Sequence, residues 1–75
     1  ADYKTRLQEI VQQNPEERLS YVVEQESGPD HDKHFDVEVL LNGKPVGKGT
    51  GSSKKRAEQS AAENAIERLF PGELD

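Results

Sequence analysis

The residues with the most chemical promise in this 75-residue chain lie in one run, Gly49-Thr50-Gly51-Ser52-Ser53-Lys54-Lys55-Arg56-Ala57-Glu58. A glycine-broken turn leads into a hydroxyl pair, and the pair leads into three cations that open a helix. Ser52 and Ser53 offer N-cap oxygens to the free amides of a first helical turn. The cations have the wrong sign for that turn, because a helix N-terminus carries partial positive charge and disfavours each by a few tenths of a kcal/mol, up to about 1. Such a corner is uncomfortable when empty and favourable when an anion sits on it. A solvated charged face is the plain alternative for any Lys/Arg run. Charge distribution tells against it here. The window from Lys44 to Arg56 holds five bases (Lys44, Lys48, Lys54, Lys55, Arg56) and no acid, leaving five bases against fifteen acids in the rest of the chain. With a net charge of −5, the protein is no general polyanion binder, but it keeps one basic segment that could hold a polyanion.

Two other stretches could recognise a ligand. Thr5, Gln8, Glu9 and Gln12 fall on one side of an N-terminal helix, opposite its apolar stripe. A hydroxyl, two amides and a carboxylate there could meet sugar hydroxyls and base edges, or simply be solvated surface. Gly28-Pro29-Asp30-His31-Asp32-Lys33 is a polar turn with a histidine at its tip. Asp30, His31, Asp32, His34 and Asp36 crowd within seven residues, as loop ligands of a divalent ion would. EF-hand spacing is absent, however, and clusters of this kind usually stay solvated, so no metal ligand is assigned. No catalytic residue is assigned either. The fifteen carboxylates form no pair on an apolar helix face, and no Ser/His/Asp or nucleotide-binding glycine pattern occurs.

The elements that must position these groups follow from periodicity. Tyr3, Leu7, Ile10 and Val11 make one apolar stripe of a helix from about Asp2 to Gln13, capped by Asp2 and stopped at Asn14-Pro15. Leu19 to Glu26 alternates as a strand with one well-buried face, and residues 28–33 form a loop. Phe35, Val37, Val39 and Leu41 alternate with His34, Asp36 and Glu38 in the clearest strand. Asn42-Gly43 is a type I′ hairpin signal. Lys44 to Thr50 reads as a third, shorter strand, eroded by Pro45, Gly47 and Gly49, with Pro45 arguing for an edge. Ala57, Ala61, Ala65 and Leu69, with Ala62, Ile66 and Phe70, give a last helix from Ser53 to about Phe70, whose alanines let it lie close on a sheet. Pro71-Gly72 ends it.

The expected architecture is therefore α+β, in the order α-β-β-β-α: a three-stranded antiparallel sheet with two helices packed on one face. One domain covers 1–75, with a core of about 2–70 and a tail at 71–75. Leu, Ile, Val and Phe number sixteen, close to the ~20% below which disorder is the default, so the pattern rather than the composition argues for folding. There is no Cys for a disulfide or thiolate site, and no apolar run approaches the ~18 residues of a membrane span. The chain opens on Ala1 without Met, and a fragment of a longer protein is the expectation.

In element order and local motifs, residues 2–70 resemble a double-stranded RNA-binding domain. Within that family the chain looks most like the C-terminal domain of bacterial ribonuclease III. Three segments carry the likeness: Asp2-Tyr3-Lys4-Thr5-Arg6-Leu7-Gln8-Glu9, Gly28-Pro29-Asp30-His31, and the run from Gly49 through Lys54-Lys55-Arg56 to Ala62. The resemblance implies that Thr5, Gln8 and Glu9 enter one minor groove of duplex RNA. It implies that the loop of Gly28, Pro29, Asp30 and His31 enters the next, and that Ser52, Ser53, Lys54, Lys55 and Arg56 grip phosphates between them. Elementary nucleic-acid geometry agrees, since A-form RNA hides its major-groove edges and is read by shape, 2′-hydroxyls and phosphates over about 16 base pairs. B-form DNA would misplace the grooves, so no DNA preference is expected. The resemblance further implies an absent, Mg2+-dependent nuclease domain, a homodimeric cytoplasmic parent acting on duplex precursors such as ribosomal RNA, and an isolated domain that is monomeric, needs no cofactor and avoids membranes. A family member that has become a protein-protein dimerisation module is the alternative.

Overall fold

A computed structural model describes residues 1–74; Asp75, the last residue of the expected tail, lies outside the described residues. The order is α1 (Tyr3–Val11), β1 (Leu19–Ser27), β2 (His34–Leu41), β3 (Lys44–Gly51) and α2 (Lys54–Leu69), followed by a 3-10 turn, Pro71–Glu73. The strands form one antiparallel sheet in the order β1-β2-β3. Helix α2 packs chiefly on β3 and then on β2, and α1 packs on α2. The α-β-β-β-α arrangement read from the periodicity is the one observed.

Each local signal has a structural counterpart. Asp2 caps α1, its carboxylate accepting from the Thr5 amide. Asn42 (φ 54°) and Gly43 (φ 81°) both take the left-handed conformation that a two-residue hairpin demands. Phe35, Val37 and Val39 point from β2 into the core and meet Ala57, Ala61, Ala62, Ala65 and Ile66 of α2, with Leu7 and Val11 from α1 closing the far side.

The glycines of β3 are packing residues, and they do not shorten the strand. β3 is eight residues long, as is β2. Gly47, Gly49 and Gly51 alternate onto the helix side, where a Cβ on Gly49 would lie 2.1 Å from the Ala61 backbone nitrogen. One on Gly47 would lie 2.7 Å from the Ala61 carbonyl oxygen, and one on Gly51 would lie 2.7 Å from the Ala57 nitrogen. Alanines on the helix and glycines on the strand bring the two backbones into direct contact.

Two further expectations need correction. β1 has no well-buried face: Leu19 and Tyr21 are half-buried and Val23 is 38% exposed. Its alternation is genuine, with Tyr21 opposite Val39 and Val23 opposite Val37, but α2 lies over the other two strands and a bulge at Glu24 breaks the register. The residues after α2 are no free tail either, because Leu74 packs against the core and Glu73 pairs with Arg6 at 2.6 Å.

Candidate nucleic-acid interface

The start of α2 is built by the strand before it. β3 ends at Gly51, whose lack of a side chain lets the first helical turn sit directly above it. Ser53, extended at φ −144°, caps that turn by accepting from the Arg56 amide at 3.1 Å, and its carbonyl accepts from Ala57 at 2.9 Å. No acid occupies the first turn. Ser52, Lys54, Lys55 and Arg56 are exposed, and none of these cations forms an ion pair with a described residue. The corner thus combines free helix amides, a neutral cap and three unneutralised positive charges.

The basic segment divides in space. Lys44 stands opposite Leu41 beside the hairpin turn, whereas Gly51 stands opposite Phe35 at the other end of the sheet. Seven strand steps of ~3.3 Å put Lys44 about 23 Å from the α2 corner. Lys48 lies between them, with its Nζ 3.8 Å from Glu38. A run that is continuous in sequence is drawn out along a strand, and only Lys54, Lys55 and Arg56 form one patch.

The β1–β2 loop lies beside this patch. Asp30, His31, Asp32, Lys33 and Phe35 share an open cleft with Ser52, Ser53 and Lys54. Gly28 (φ +86°) starts the loop at a point where a Cβ would meet the Asp32 carbonyl oxygen at 2.2 Å. The Asp32 amide then donates to the Pro29 carbonyl at 2.9 Å, closing a turn with His31 exposed at its tip. Lys33 ties the loop to β1 through Glu26 at 2.8 Å, a contact that holds the Glu26 carboxyl below its ordinary range. His34 and Asp36 lie 3.5 Å apart on the sheet face turned away from the helices. Among the described residues no three His, Asp or Glu converge as metal ligands would.

On α1, Thr5, Gln8 and Glu9 are exposed on the face opposite buried Leu7 and Val11. The Thr5 hydroxyl donates to Asp2 at 2.7 Å, which leaves its oxygen lone pairs to accept. Glu9 shares a cleft with Thr5, Arg6 and Glu73.

The groups that fasten α1 to α2 escaped the sequence reading. Gln59 of α2 accepts from the Tyr3 amide at 2.7 Å and from the Lys4 amide at 3.3 Å, and it donates to Asp2 at 2.8 Å. Lys4 reaches Glu58 at 2.6 Å and lies 4.8 Å above the Tyr21 ring. Burial pushes the Tyr21 hydroxyl up to about 12, with the nearby Glu58 and Asp2 charges adding to the effect. The Gln59 amide, the Thr5 hydroxyl and the Thr5 backbone amide together hold Asp2 down at about 2, with a smaller contribution from nearby Lys55. No local pattern marks Gln59, because its partners are 56 and 55 residues away in sequence. The α2 corner therefore adjoins the loop directly and is joined to the start of α1 through Glu58 and Gln59, while Glu9, further along α1, lies beside Glu73.

Comparison with known proteins bears on this arrangement. Residues 3–69 match the family model described as the double-stranded RNA binding motif. The chain is 58% identical over 67 residues to Ribonuclease 3 of Streptococcus pneumoniae strain Hungary19A-6, and equally to that of strain CGSP14. The match takes in 89% of this chain and 29% of those relatives, so the chain spans under a third of their length. A solution structure of both double-stranded RNA-binding domains of DRB4 with their linker superposes with a TM-score of 0.60 at 34% identity, covering 93% of this chain and 45% of that one.

Proposed function

The chain belongs to the double-stranded RNA-binding motif family, and from that premise we propose that it binds duplex RNA by shape, with α1 and the β1–β2 loop in successive minor grooves and the α2 corner on the phosphates between them. The observation that carries this reading is the α2 corner itself. Three exposed cations with no ion-pair partner among the described residues stand on a helix N-terminus that shares a cleft with a polar loop and is joined, one turn on, to the start of α1. Charge and dipole supply affinity there without sequence preference, and Thr5, Gln8 and His31 supply short-range groups able to meet 2′-hydroxyls. Glu9 fits such a groove as an acceptor from 2′-hydroxyl donors. Asp36 and Glu38 alternate with the buried Phe35, Val37 and Val39 and so lie on the sheet face turned away from the helices.

The test is an anisotropy titration of one duplex sequence, as RNA and as DNA, at two salt concentrations. Salt-sensitive binding with RNA well above DNA is expected, and substitution of Thr5, Gln8 or His31 lowers that preference. Equal binding to both duplexes would reduce the role to a generic phosphate patch. A tight homodimer in sedimentation with no RNA affinity would replace it with a protein-interaction module.

The same proposal extends to the parent protein. Identity of 58% to a Ribonuclease 3 supports a parent of that kind, a Mg2+-dependent, homodimeric, cytoplasmic endonuclease that processes duplex precursors such as ribosomal RNA. In it, this segment supplies substrate affinity and register and does no cutting. As an isolated domain it is a monomer without a cofactor. Incubating the purified chain with duplex RNA and Mg2+ should leave the RNA intact, and cleavage would overturn the division of labour.

A further inference from the structure

The first helical turn of α1 is satisfied from two sources. The Arg6 amide donates to the Asp2 carbonyl and the Thr5 amide to the Asp2 carboxylate. The two amides before them, Tyr3 and Lys4, find no partner in their own helix. They donate to the Gln59 side-chain oxygen, while the Gln59 side-chain nitrogen donates to Asp2. Gln59 is thus a second cap, supplied in trans by the helix whose first turn carries the cations. It stands one helical turn after Lys55, and the turn it caps carries Thr5, with Gln8 following one turn later. Both ends of its amide are engaged, so a side chain that only accepts or only donates cannot replace it.

We propose that Gln59 is a positioning residue for duplex RNA: it fixes the groove-reading face of α1, Thr5 and Gln8, in register with the phosphate-gripping corner of α2. This rests on the RNA-binding reading above. Lys4 with Glu58 also joins the two helices, but through a flexible ammonium stem. Gln59 alone among these contacts holds the backbone of α1, which sets where the helix axis begins. The requirement is geometric: two contact regions on separate helices can engage one rigid duplex together only if their separation is set beforehand.

The experiment compares the unchanged chain with Gln59→Leu, Gln59→Glu and the double variant Asp2→Asn/Gln59→Glu. Gln59→Glu keeps the acceptor for Tyr3 and Lys4 but sets a carboxylate against Asp2. The double variant restores a donor to the pair, with the asparagine amide facing the new carboxylate. Each is assayed by thermal melting, by amide NMR shifts of Tyr3 and Lys4, and by anisotropy against RNA and DNA duplexes at several salt concentrations. Gln59→Leu and Gln59→Glu should bind duplex RNA roughly three- to thirtyfold more weakly, the scale of one or two lost interface contacts. The salt slope of Gln59→Leu should stay within about half a unit of the original, because every charge is untouched in it. The loss in both variants should fall on RNA more than on DNA. The double variant should recover RNA affinity to within about twofold, the pairing appearing as a coupling between the two sites.

Should Gln59→Leu fail to fold, Gln59→Glu and its rescue decide the matter alone. Unchanged RNA affinity and preference in a folded Gln59→Glu or Gln59→Leu, with the Tyr3 and Lys4 amides shifted, would overturn the role and leave RNA binding itself standing. A fall in the salt slope of Gln59→Leu equal to that from removing a lysine would overturn it too, because the effect would then run through the phosphate grip. An unchanged chain that prefers RNA no more than DNA would overturn both readings at once.

Discussion

The two helices begin under the same physics and meet opposite ends. Each opens on a side-chain cap, and neither has an acid within its first turn. At α1 the cap is a carboxylate, Asp2, all four leading amides have partners, and the nearby cation Lys4 is neutralised by Glu58. At α2 the cap is a neutral hydroxyl, and Lys54, Lys55 and Arg56 have no acidic partner among the described residues. One helix start is electrically complete and the other is left positive. A complete start offers a fixed surface of short-range groups, and a positive start offers long-range attraction for an anion. Recognition of a charged duplex needs both, since charge gives affinity and placement gives discrimination.

The most forceful way to break this comparison is to unseat α2, which carries one helix start and caps the other. Gly49→Ala should do so. The added Cβ would sit 2.1 Å from one backbone atom of α2 and 2.5 Å from another, and neither is a side chain that can swing away. Overpacking of this kind costs about 3 kcal/mol or more. Total stability for 75 residues is on the order of 4–11 kcal/mol. Thermal melting should therefore fall by roughly 4–8 °C for each kcal/mol, or the cooperative transition should vanish. A melt within a degree or two of the original would mean that the strand–helix seam is slack.

Next in size is removal of the charge itself. Lys54→Ala with Lys55→Ala should weaken duplex RNA binding several-fold to about a hundredfold and lower the salt slope by roughly one to two units. Without RNA, the same change should leave the melting temperature unchanged or raise it, because cations at a helix N-terminus oppose the dipole. Opposite signs for binding and stability are the signature of a start kept positive for a ligand. A loss of both would mark the lysines as structural. Ser53→Asp sharpens the contrast with one residue, since it makes the start of α2 resemble that of α1. The cap is retained and becomes a carboxylate beside the first turn, so stability should rise by about 0.3–1 kcal/mol while RNA affinity falls a few-fold.

Much of this was legible in the sequence, and for identifiable reasons. Element order, the Asn42-Gly43 hairpin, the Asp2 and Ser53 caps and the alternation of β2 are all set by neighbours within a few residues. What escaped notice depends on distant partners. The β3 glycines looked like erosion because their meaning lies in the alanines of α2, about ten residues on. The apolar alternation of β1 promised burial, but nothing local says that α2 covers the other edge of the sheet. The five-base segment looked like one patch because sequence distance hides the length of an extended strand. Gln59 was lost among surface-type residues of α2, since its partners sit at the other end of the chain.

The smallest expected effect concerns the complete start. Asp2 titrates at about 2 in the folded chain, against an ordinary value of 3.8, because the Gln59 amide, the Thr5 hydroxyl and the Thr5 amide all favour its charged form. A carboxyl lowered by folding contributes stability that is fully present above its unfolded value and is lost as pH falls through its folded one. The contribution of Asp2 should therefore fade between about 4 and 2. Glu24 works in the opposite sense: the neighbouring Glu38 raises it, through a shared hydrogen bond and then through charge, so its contribution is present at low pH and lost as pH rises. The two can be separated by comparing acid melts of the original chain with those of Asp2→Asn, which keeps an acceptor for the Thr5 amide but cannot titrate. The difference in stability between them should be constant above pH 4 and shrink below it, while RNA affinity at neutral pH changes little. A difference that stays constant down to pH 2 would place the acid sensitivity of the fold elsewhere, and the start of α1 would then be held by geometry alone and owe nothing to the Asp2 charge.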